Sequence, residues 1–263
     1  MRNVFAIAGK EIRVYFTTPT SYVLLGSFAL IIAYFFQALI GEFQRTVAQS
    51  LQMNASWMLE QLNLTDYVIF PLVMNIGVIL IFYTPIMTMR LIADERRAKT
   101  LELLMTAPVR PIEIVLGKYL AGLVMMLAML GLTLLFPLIV QLLGAAQSGS
   151  PLDWRSVAVG YCGAALLGAA FVAVGLFTSS LTDNPIIAAL LGFLILLMFY
   201  IIGSGASDSA GWWKSVLDHM SLGANLQGFA RGVLRTPAVV YSLSLSVFAL
   251  FLSYRVVEAQ RWR

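Results

Sequence analysis

The sequence predicts an all-α, polytopic membrane protein with six transmembrane helices and both termini in the cytoplasm. Three observations carry this prediction: the composition, the spacing of charge-free segments, and the distribution of lysine and arginine. Hydrophobic residues make up 60% of the 263 residues and charged residues only 11%, whereas about a quarter of a typical soluble domain is charged. A soluble domain of this size could not cover its surface with so few charges, but helices that face lipid need none.

Six charge-free segments are long enough to cross a membrane as helices. They lie at 14–41, 67–89, 119–152, 156–182, 184–207 and 236–254. Each holds the roughly 17–20 residues that a helix needs to cross about 30 Å of hydrocarbon. Within a single membrane domain, 1–263, we therefore expect spans at 21–41, 67–89, 119–143, 156–178, 185–205 and 236–254.

Lysine and arginine are unevenly divided between alternate loops. One set of loops contains 12 basic residues and the other contains 5. The basic-rich set comprises 1–20, 90–118, the turn at Asp183 and 255–263, and the other set comprises 42–66, 153–155 and 208–235. Because basic residues concentrate on the cytoplasmic side of membrane proteins, both termini and the loop 90–118 are predicted to be cytoplasmic.

The N-terminal residues 2–18 have the pattern of a basic amphipathic helix that lies in the headgroup plane. At 100° per residue, one broad apolar arc contains Val4, Phe5, Ile7, Ala8, Ile12, Tyr15 and Phe16, and the opposite side contains Arg2, Lys10 and Arg13. Pro19 ends this helix. Glu11 falls within the apolar arc, so its carboxylate either needs a cationic partner from another segment or snorkels to water.

The loop 90–118 is charged far beyond the rest of the chain, with ten charged residues in 29. Residues 91–105 can continue the second span as a helix, a break is expected at residues 106–108, and Pro111 suits the first turn of a second helix. This charge-flanked hairpin favours docking of a cytoplasmic partner. Gly117-Lys118 is not a phosphate-binding loop, because Ile112 stands where that motif requires glycine.

Two outside segments and two packing features complete the layout. Residues 207–235 are predicted to form a re-entrant or amphipathic segment, and residues 42–66 a second amphipathic helix that turns Trp57 and Leu62 to the membrane. Small residues recur every fourth position at Gly160, Ala164 and Gly168 and again at Ala165, Ala169 and Ala173. Such stripes pack a helix bundle internally or form a dimer seam, and Pro137 predicts a kink in the third span.

Enzymatic chemistry is poorly supported by the sequence. Cys162 and His219 are each the single residue of their type, which excludes an intrachain disulfide and disfavours a metal site or most nucleophile–base pairs. Ser204 with His219 is the remaining hydrolase candidate. The spans also lack the central ionisable residues that proton-coupled transporters usually need.

The run 93–122, ADERRAKTLELLMTAPVRPIEIVLGKYLAG, resembles the cytoplasmic loop of ABC-2 type transporter permeases. The family pattern is roughly E-E-[KR]-x-x-G-T-x-E-x-L-x-[ST]-x-P-V-x-x-x-E-[IL]-x-x-G-K, and Lys99 stands where the family usually has glycine. The matching residues are Asp94, Glu95, Thr100, Glu102, Leu104, Thr106, Pro108, Val109, Glu113, Gly117 and Lys118. Residues 8–13 resemble the family's elbow helix, and residues 228–233 its segment before the last span. Within the family, the sequence resembles the subgroup of the gliding-motility (GldF) and nitrous-oxide-reductase maturation (NosY) permeases.

This resemblance implies a permease subunit of an ABC transporter of the exporter class, with an elbow helix at 1–20 and a coupling helix in the loop 90–118. The residues expected to contact the ATPase subunit are Glu95, Arg96, Arg97, Thr100, Leu101, Glu102, Leu104, Thr106, Pro108 and Val109, braced by the elbow residues Lys10, Glu11 and Arg13. No catalytic or metal-binding residue is expected, and ATP and Mg²⁺ would enter through the partner ATPase.

The expected partners are an ABC ATP-binding subunit, a second permease chain in a dimer, the lipid bilayer and an accessory protein outside, with no nucleic acid. The expected location is the inner membrane. A different function stays open beside this one: a non-transporting six-helix anchor that docks a cytoplasmic partner. The polar residues scattered along the spans do not identify a substrate.

Overall fold

The computed structural model describes residues 2–53, 62–100, 109–148, 152–202 and 221–260. These residues form helices without a strand, which confirms the all-α prediction. The helices are α1 (Arg2–Thr17), α2 (Pro19–Gln52), α3 (Phe70–Thr88, preceded by a π-helical turn at Thr65–Ile69), α4 (Arg90–Arg97), α5 (Pro111–Thr133), α6 (Leu135–Ser148), α7 (Trp154–Leu181), α8 (Pro185–Ile201), α9 (Leu222–Ala230) and α10 (Thr236–Gln260).

Long apolar helices overlap five of the predicted spans and extend beyond several of them. Among the described residues, five helical stretches have the length and apolarity to cross a membrane, namely Pro19–Gln52, Thr65–Arg97, Pro111–Leu142, Trp154–Leu181 and Thr236–Gln260. The shorter apolar helix α8, with 17 residues, is at the lower limit for a sixth crossing. If α8 also crosses, the chain makes six crossings, and α1 and the end of α10 lie on the same side of the membrane, as predicted.

One outside prediction is wrong over the part that the structure describes. Residues 42–52 do not form a separate amphipathic helix but continue α2, which runs without interruption through 34 residues. The segment after Gly41 contains no proline and is rich in helix-forming residues, so nothing ends the helix at the membrane boundary. Trp57 lies outside the described residues, and Leu62 is not helical.

The helix α7 is the centre of the bundle, since it packs against α3, α5, α8, α9 and α10. Its glycines permit these close approaches: a Cβ on Gly168 would lie 2.7 Å from the sulfur of Met126 in α5, and one on Gly163 would overlap Phe229 in α9. Ala164 and Ala173 are buried as well. The stripes of small residues therefore pack helices within one chain, the first of the two alternatives.

The helix in which a kink is predicted at Pro137 is interrupted almost one turn earlier, where Leu134 separates α5 from α6. Proline has no N–H, so the carbonyl of Thr133, four residues before Pro137, loses its helical donor. The hydroxyl of Tyr161 in α7 donates to this carbonyl at 2.9 Å. A side chain from the central helix thus satisfies the backbone group that the proline leaves open.

On the opposite side of the molecule from the termini, the described part of the segment 207–235 contains the short helix α9. Ser221 caps it by accepting a hydrogen bond from the N–H of Ala224 at 3.2 Å. Leu226 fits against Gly77 of α3 and Phe229 against Gly163 of α7. The helix ends at Ala230, and Gly232 follows with a φ of +75°, a conformation that favours glycine. This segment therefore packs between spans, and its depth in the membrane stays a prediction.

We expect Tyr161→Phe to destabilise the folded chain by about 0.5–1.5 kcal/mol, because the Thr133 carbonyl then has no donor in an apolar environment. Thermal unfolding in detergent measures this change. Tyr34→Phe is the matched control, since Tyr34 is 71% exposed and makes no hydrogen bond among the described residues. Equal shifts in the two variants would contradict the assigned role.

Candidate functional site

The side of the bundle that is predicted to face the cytoplasm is organised where α1 lies across the start of α5. A Cβ on Gly117 would be 2.8 Å from the Cβ of Ile7 and 3.0 Å from the carbonyl oxygen of Val4. Such distances are below normal contact, so only glycine lets α1 approach α5 this closely. The predicted apolar arc of α1 thereby meets the bundle through Ile7 and the buried Ala8.

Next to this glycine, Lys118 is buried to 1% exposure. Its ammonium Nζ is 3.1 Å from Glu11 Oε1 and 2.9 Å from Glu95 Oε2. It also donates to the backbone carbonyl of Leu91. A buried ammonium is costly unless it is hydrogen-bonded and its charge is balanced. Glu11 and the Leu91 carbonyl accept its hydrogen bonds, and the carboxylates of Glu11 and Glu95 balance its charge.

Lys10 completes the arrangement from the solvent side. Its Nζ is 3.1 Å from Glu95 Oε1 and 3.4 Å from Glu11 Oε1. Lys10, Glu11, Glu95 and Lys118, which we call the elbow cluster, therefore join α1, α4 and α5 with no net charge. Of the two alternatives for Glu11, the structure shows the cationic partner, which is Lys118.

The elbow cluster changes the proton affinity of two of its members. Burial by itself would raise the pKa of Glu95, but the Lys118 and Lys10 ammonium groups outweigh it and hold that pKa below its usual value. Burial would lower the pKa of Lys10, yet its hydrogen bond and charge interaction with Glu95 leave that pKa raised. Both groups are accordingly held in their charged forms.

A second group of contacts ties α4 to the end of α7. The backbone N–H groups of Ile92 and Ala93 each donate to Ser179 Oγ at 3.1 Å, and Ser179 Oγ donates to the Met89 carbonyl at 2.8 Å. The hydroxyl thus inserts into the helical hydrogen-bond ladder where α3 meets α4, a recognised cause of local helix distortion.

Arg96 extends this attachment to the turn between α7 and α8. Its Nη1 donates to the Ser180 carbonyl at 3.0 Å, and its Nε forms an ion pair with Asp183. We call Ser179, Ser180, Arg96 and Asp183 the α4–α7 clamp. The elbow cluster fixes the eight-residue helix α4 to α1 and α5, and the clamp fixes it to α7.

The predicted helix 91–105 is shorter in the structure, because α4 ends at Arg97. The N–H of Ala98 bonds to the Asp94 carbonyl, and Lys99 follows with a φ of +55°. This left-handed conformation favours glycine, so Lys99 occupies the geometry for which the family pattern has glycine. Thr100 then donates from Oγ1 to the Glu95 carbonyl at 3.2 Å.

The second helix of the loop begins as expected, with Pro111 in the first turn of α5. Glu113 Oε2 accepts from the N–H of Arg110 at 3.0 Å and from Asn3 Nδ2 at 3.2 Å. Both hydrogen bonds lower the pKa of the Glu113 carboxyl, and the bond from the Arg110 N–H has the larger effect. Asn3 adds another link between α1 and α5.

The structure brings some of the predicted site residues together. Lys10, Glu11 and Glu95 meet in the elbow cluster, and Arg96 belongs to the clamp. Arg13, Arg97 and Thr100 are exposed, and Val109 is partly buried. The remaining members lie outside the described residues: Leu101, Glu102, Leu104, Thr106 and Pro108.

Lys118, Ser179 and Asp183 were not among the predicted site residues. Lys118 was read as the boundary of a span, although a lysine after a glycine at the start of an apolar helix was a usable signal. Asp183, the single charge between two spans, pointed to a cation on the same side. Ser179 carried no signal, because a serine in an apolar span usually bonds to its own helix.

We expect Lys118→Met to destabilise the protein by about 3–5 kcal/mol, because it keeps the apolar stem but leaves Glu11 and Glu95 without their buried cation. Chemical or thermal unfolding in detergent measures the loss. Arg97→Met, at an exposed position of the same loop, should change stability by less than about 0.5 kcal/mol. Adding Glu11→Gln should recover part of the loss, and a harmless Lys118→Met would contradict the central place of this ammonium.

The comparison with known families agrees with this architecture. The family model for ABC-2 family transporter proteins matches residues 5–256, nearly the whole chain. No curated protein matches the sequence. Proteins of this family are the multi-pass transmembrane subunits of ABC transporters, which lack an ATP site of their own. This chain, with its apolar helices and its elbow cluster, belongs to the ABC-2 transporter family.

Proposed function

We propose that this permease couples ATP hydrolysis by a separate ATP-binding subunit to export, or to mechanical work, across the inner membrane. The ATPase subunit docks on the loop 90–118, and ATP and Mg²⁺ are bound by that subunit. The observation that carries the proposal is the fixation of α4 to three other helices by charge and hydrogen-bond contacts. A docking loop held in this way transmits displacement to the membrane helices.

The elbow cluster supports the first part of the transmission. Because Glu95 of α4 contacts the exposed Lys10 of α1 and the buried Lys118 of α5, movement of α4 alone would separate Glu95 from a buried opposite charge and from an exposed one. That separation is costly in a low-dielectric environment. The three helices therefore move together when the loop is pushed.

The α4–α7 clamp supports the second part. Ser179 links the ladder of α4 directly to α7, and α7 packs against most of the other spans. Displacement at the loop thus reaches the centre of the bundle over a short distance. The Arg96–Asp183 pair carries the same displacement to the start of α8.

The working unit is a dimer of permease chains with a pair of ATPase subunits, and an accessory protein outside takes part where the work is mechanical. The competing function is a membrane anchor that docks a partner without transport. Docking alone requires an accessible loop but not a tie between that loop and the central helix. The clamp therefore favours transmission over simple anchoring.

The first test identifies the docking partner and its dependence on the loop. The tagged chain, purified in mild detergent, should retain a subunit that has a phosphate-binding loop and hydrolyses ATP. Glu102→Arg should abolish this co-purification, or lower permease-stimulated ATPase activity about tenfold or more, because it reverses a charge in the docking loop. Membrane insertion should be normal.

The matched control is Glu42→Arg, which makes the same charge reversal at an exposed position in the outer half of α2. It should leave the partner and its stimulation unchanged. A reproducible partner without a phosphate-binding loop would favour the anchor. Wild-type coupling in Glu102→Arg would contradict the assignment of the loop.

The second test separates transmission from docking. Arg96→Asp places two carboxylates together at the clamp, so the ATPase should still co-purify while its stimulation falls about fivefold or more. The exchange Arg96→Asp with Asp183→Arg restores opposite charges and should recover most of the stimulation. Arg255→Glu, which breaks an exposed ion pair with Glu258 on α10, is the control. Failure of the exchange to recover activity, with docking intact, would contradict transmission through this pair.

A further inference from the structure

A cleft of about 450 Å³ opens between α1, the first turns of α2 and the junction of α3 with α4. Ligand sites of small molecules occupy a similar range of volumes. The cleft has a charged end beside the elbow cluster and an apolar wall that includes Val14, Leu24 and Ile86. It lies where the N-terminal helix joins the first span, which is the level of the lipid headgroups.

Two polar groups in the cleft have unused hydrogen-bonding capacity. Ser21 is 5% exposed as a residue, and its hydroxyl makes no hydrogen bond among the described residues. The Arg90 guanidinium has one contact in the same part of the chain, a long one of 3.9 Å to Asp94 Oδ2. Buried hydroxyls are normally hydrogen-bonded, and a guanidinium with free N–H groups fits the oxygens of a phosphate.

The first turn of α2 adds a smaller contribution, because Pro19 has no N–H and the Ser21 N–H already donates to the Thr18 carbonyl at 3.1 Å. Helix N-termini carry unpaired N–H groups and a partial positive charge, which favour anions. No side chain caps this turn, since Thr18 donates its hydroxyl to the carbonyl of Val14 at 2.6 Å. Ser21 and Thr20 of the same turn line the cleft beside Arg90.

The charges along the cleft distinguish between classes of phosphate ligand. Lys10, Arg90 and Lys118 balance Glu11, Asp94 and Glu95, so the lining is neutral. The members of the elbow cluster satisfy one another, which leaves Arg90 and the half-exposed Asp94 for a ligand. The Arg90 guanidinium can donate hydrogen bonds to a phosphate, and the Asp94 carboxylate can accept them from an ammonium. Together the two side chains complement a zwitterionic headgroup better than an anionic one.

The apolar wall identifies the rest of the ligand. Val14 is 48% exposed and Ile86 is 41% exposed, and both line the cleft directly beside its charged end. An acyl chain would cover such a wall and continue into the surrounding bilayer. A soluble phosphate ester would leave it exposed.

We propose that this cleft binds one zwitterionic phospholipid of the phosphatidylethanolamine class from the cytoplasmic leaflet. Its phosphate lies against Arg90, Ser21 and the first turn of α2, its ammonium against Asp94, and one acyl chain against Val14 and Ile86. This site does not depend on the transport function, because each of its groups belongs to the permease chain alone.

Native mass spectrometry of the whole chain in detergent tests the proposal with four probes of defined chemistry. These are palmitoyl-oleoyl phosphatidylethanolamine, the phosphatidylglycerol and the diacylglycerol with the same chains, and glycerophosphoethanolamine. We expect one phosphatidylethanolamine per chain, bound more tightly than the other three. Equal binding of diacylglycerol or phosphatidylglycerol would overturn the headgroup assignment, and equal binding of glycerophosphoethanolamine would overturn the lipid assignment.

Arg90→Gln should weaken binding of phosphatidylethanolamine about tenfold or more, because it removes charged hydrogen bonds to the phosphate. Arg45→Gln removes an exposed arginine from the other end of α2 and should not change binding. Equal weakening in the two variants would overturn the site.

A measurement on the unaltered chain removes any dependence on how the Arg90 variant folds. Phosphatidylethanolamine with a photoreactive acyl chain should label peptides that contain residues 14–24 and 86–91. Labelling confined to other peptides would overturn the proposal.

Discussion

The buried ammonium of Lys118 is the constraint on which the cytoplasmic side of this permease depends. A lysine at the start of an apolar helix must be balanced by carboxylates, and the two that balance it come from different helices. Glu11 can reach it only if α1 lies directly on α5, and the adjacent Gly117 permits that approach. The charge requirement and the steric requirement are thus met by neighbouring residues, which accounts for the pairing of glycine and lysine at this point in the sequence.

The same constraint sets the position of α4. Glu95 must face Lys118, and this fixes the rotation of α4 about its axis. With that rotation set, Arg96 faces the end of α7 and Ser179 inserts at the junction with α3. Ion pairs buried in this way contribute little net stability compared with apolar packing. Their effect is to define one arrangement of helices, because an alternative register would leave a charge unpaired.

Much of the fold could be predicted from the sequence, because lipid imposes a simple rule on composition. The all-α, multi-pass architecture, the interruption close to Pro137 and a cationic partner as one of two alternatives for Glu11 all followed from local patterns. The continuation of α2 to Gln52 was missed because a charge boundary was taken as a helix boundary. The site was predicted only in part. Lys118 contacts Glu11, 107 positions away, and Ser179 contacts Met89, 90 positions away, and no local sequence pattern records such long-range contacts.

The combination of a rigid cytoplasmic side with glycine-rich contacts around α7 suits a protein that must move. Close contacts at Gly163 and Gly168 rest on the fit of apolar surfaces, and such surfaces can slide past one another at modest cost because they break no specific bond. The elbow cluster and the clamp, in contrast, resist separation because each contact pairs a charge or a polar backbone group. Displacement of the loop is therefore expected to leave the cytoplasmic contacts intact and to be taken up among the apolar faces of the spans, where a transport pathway would have to open.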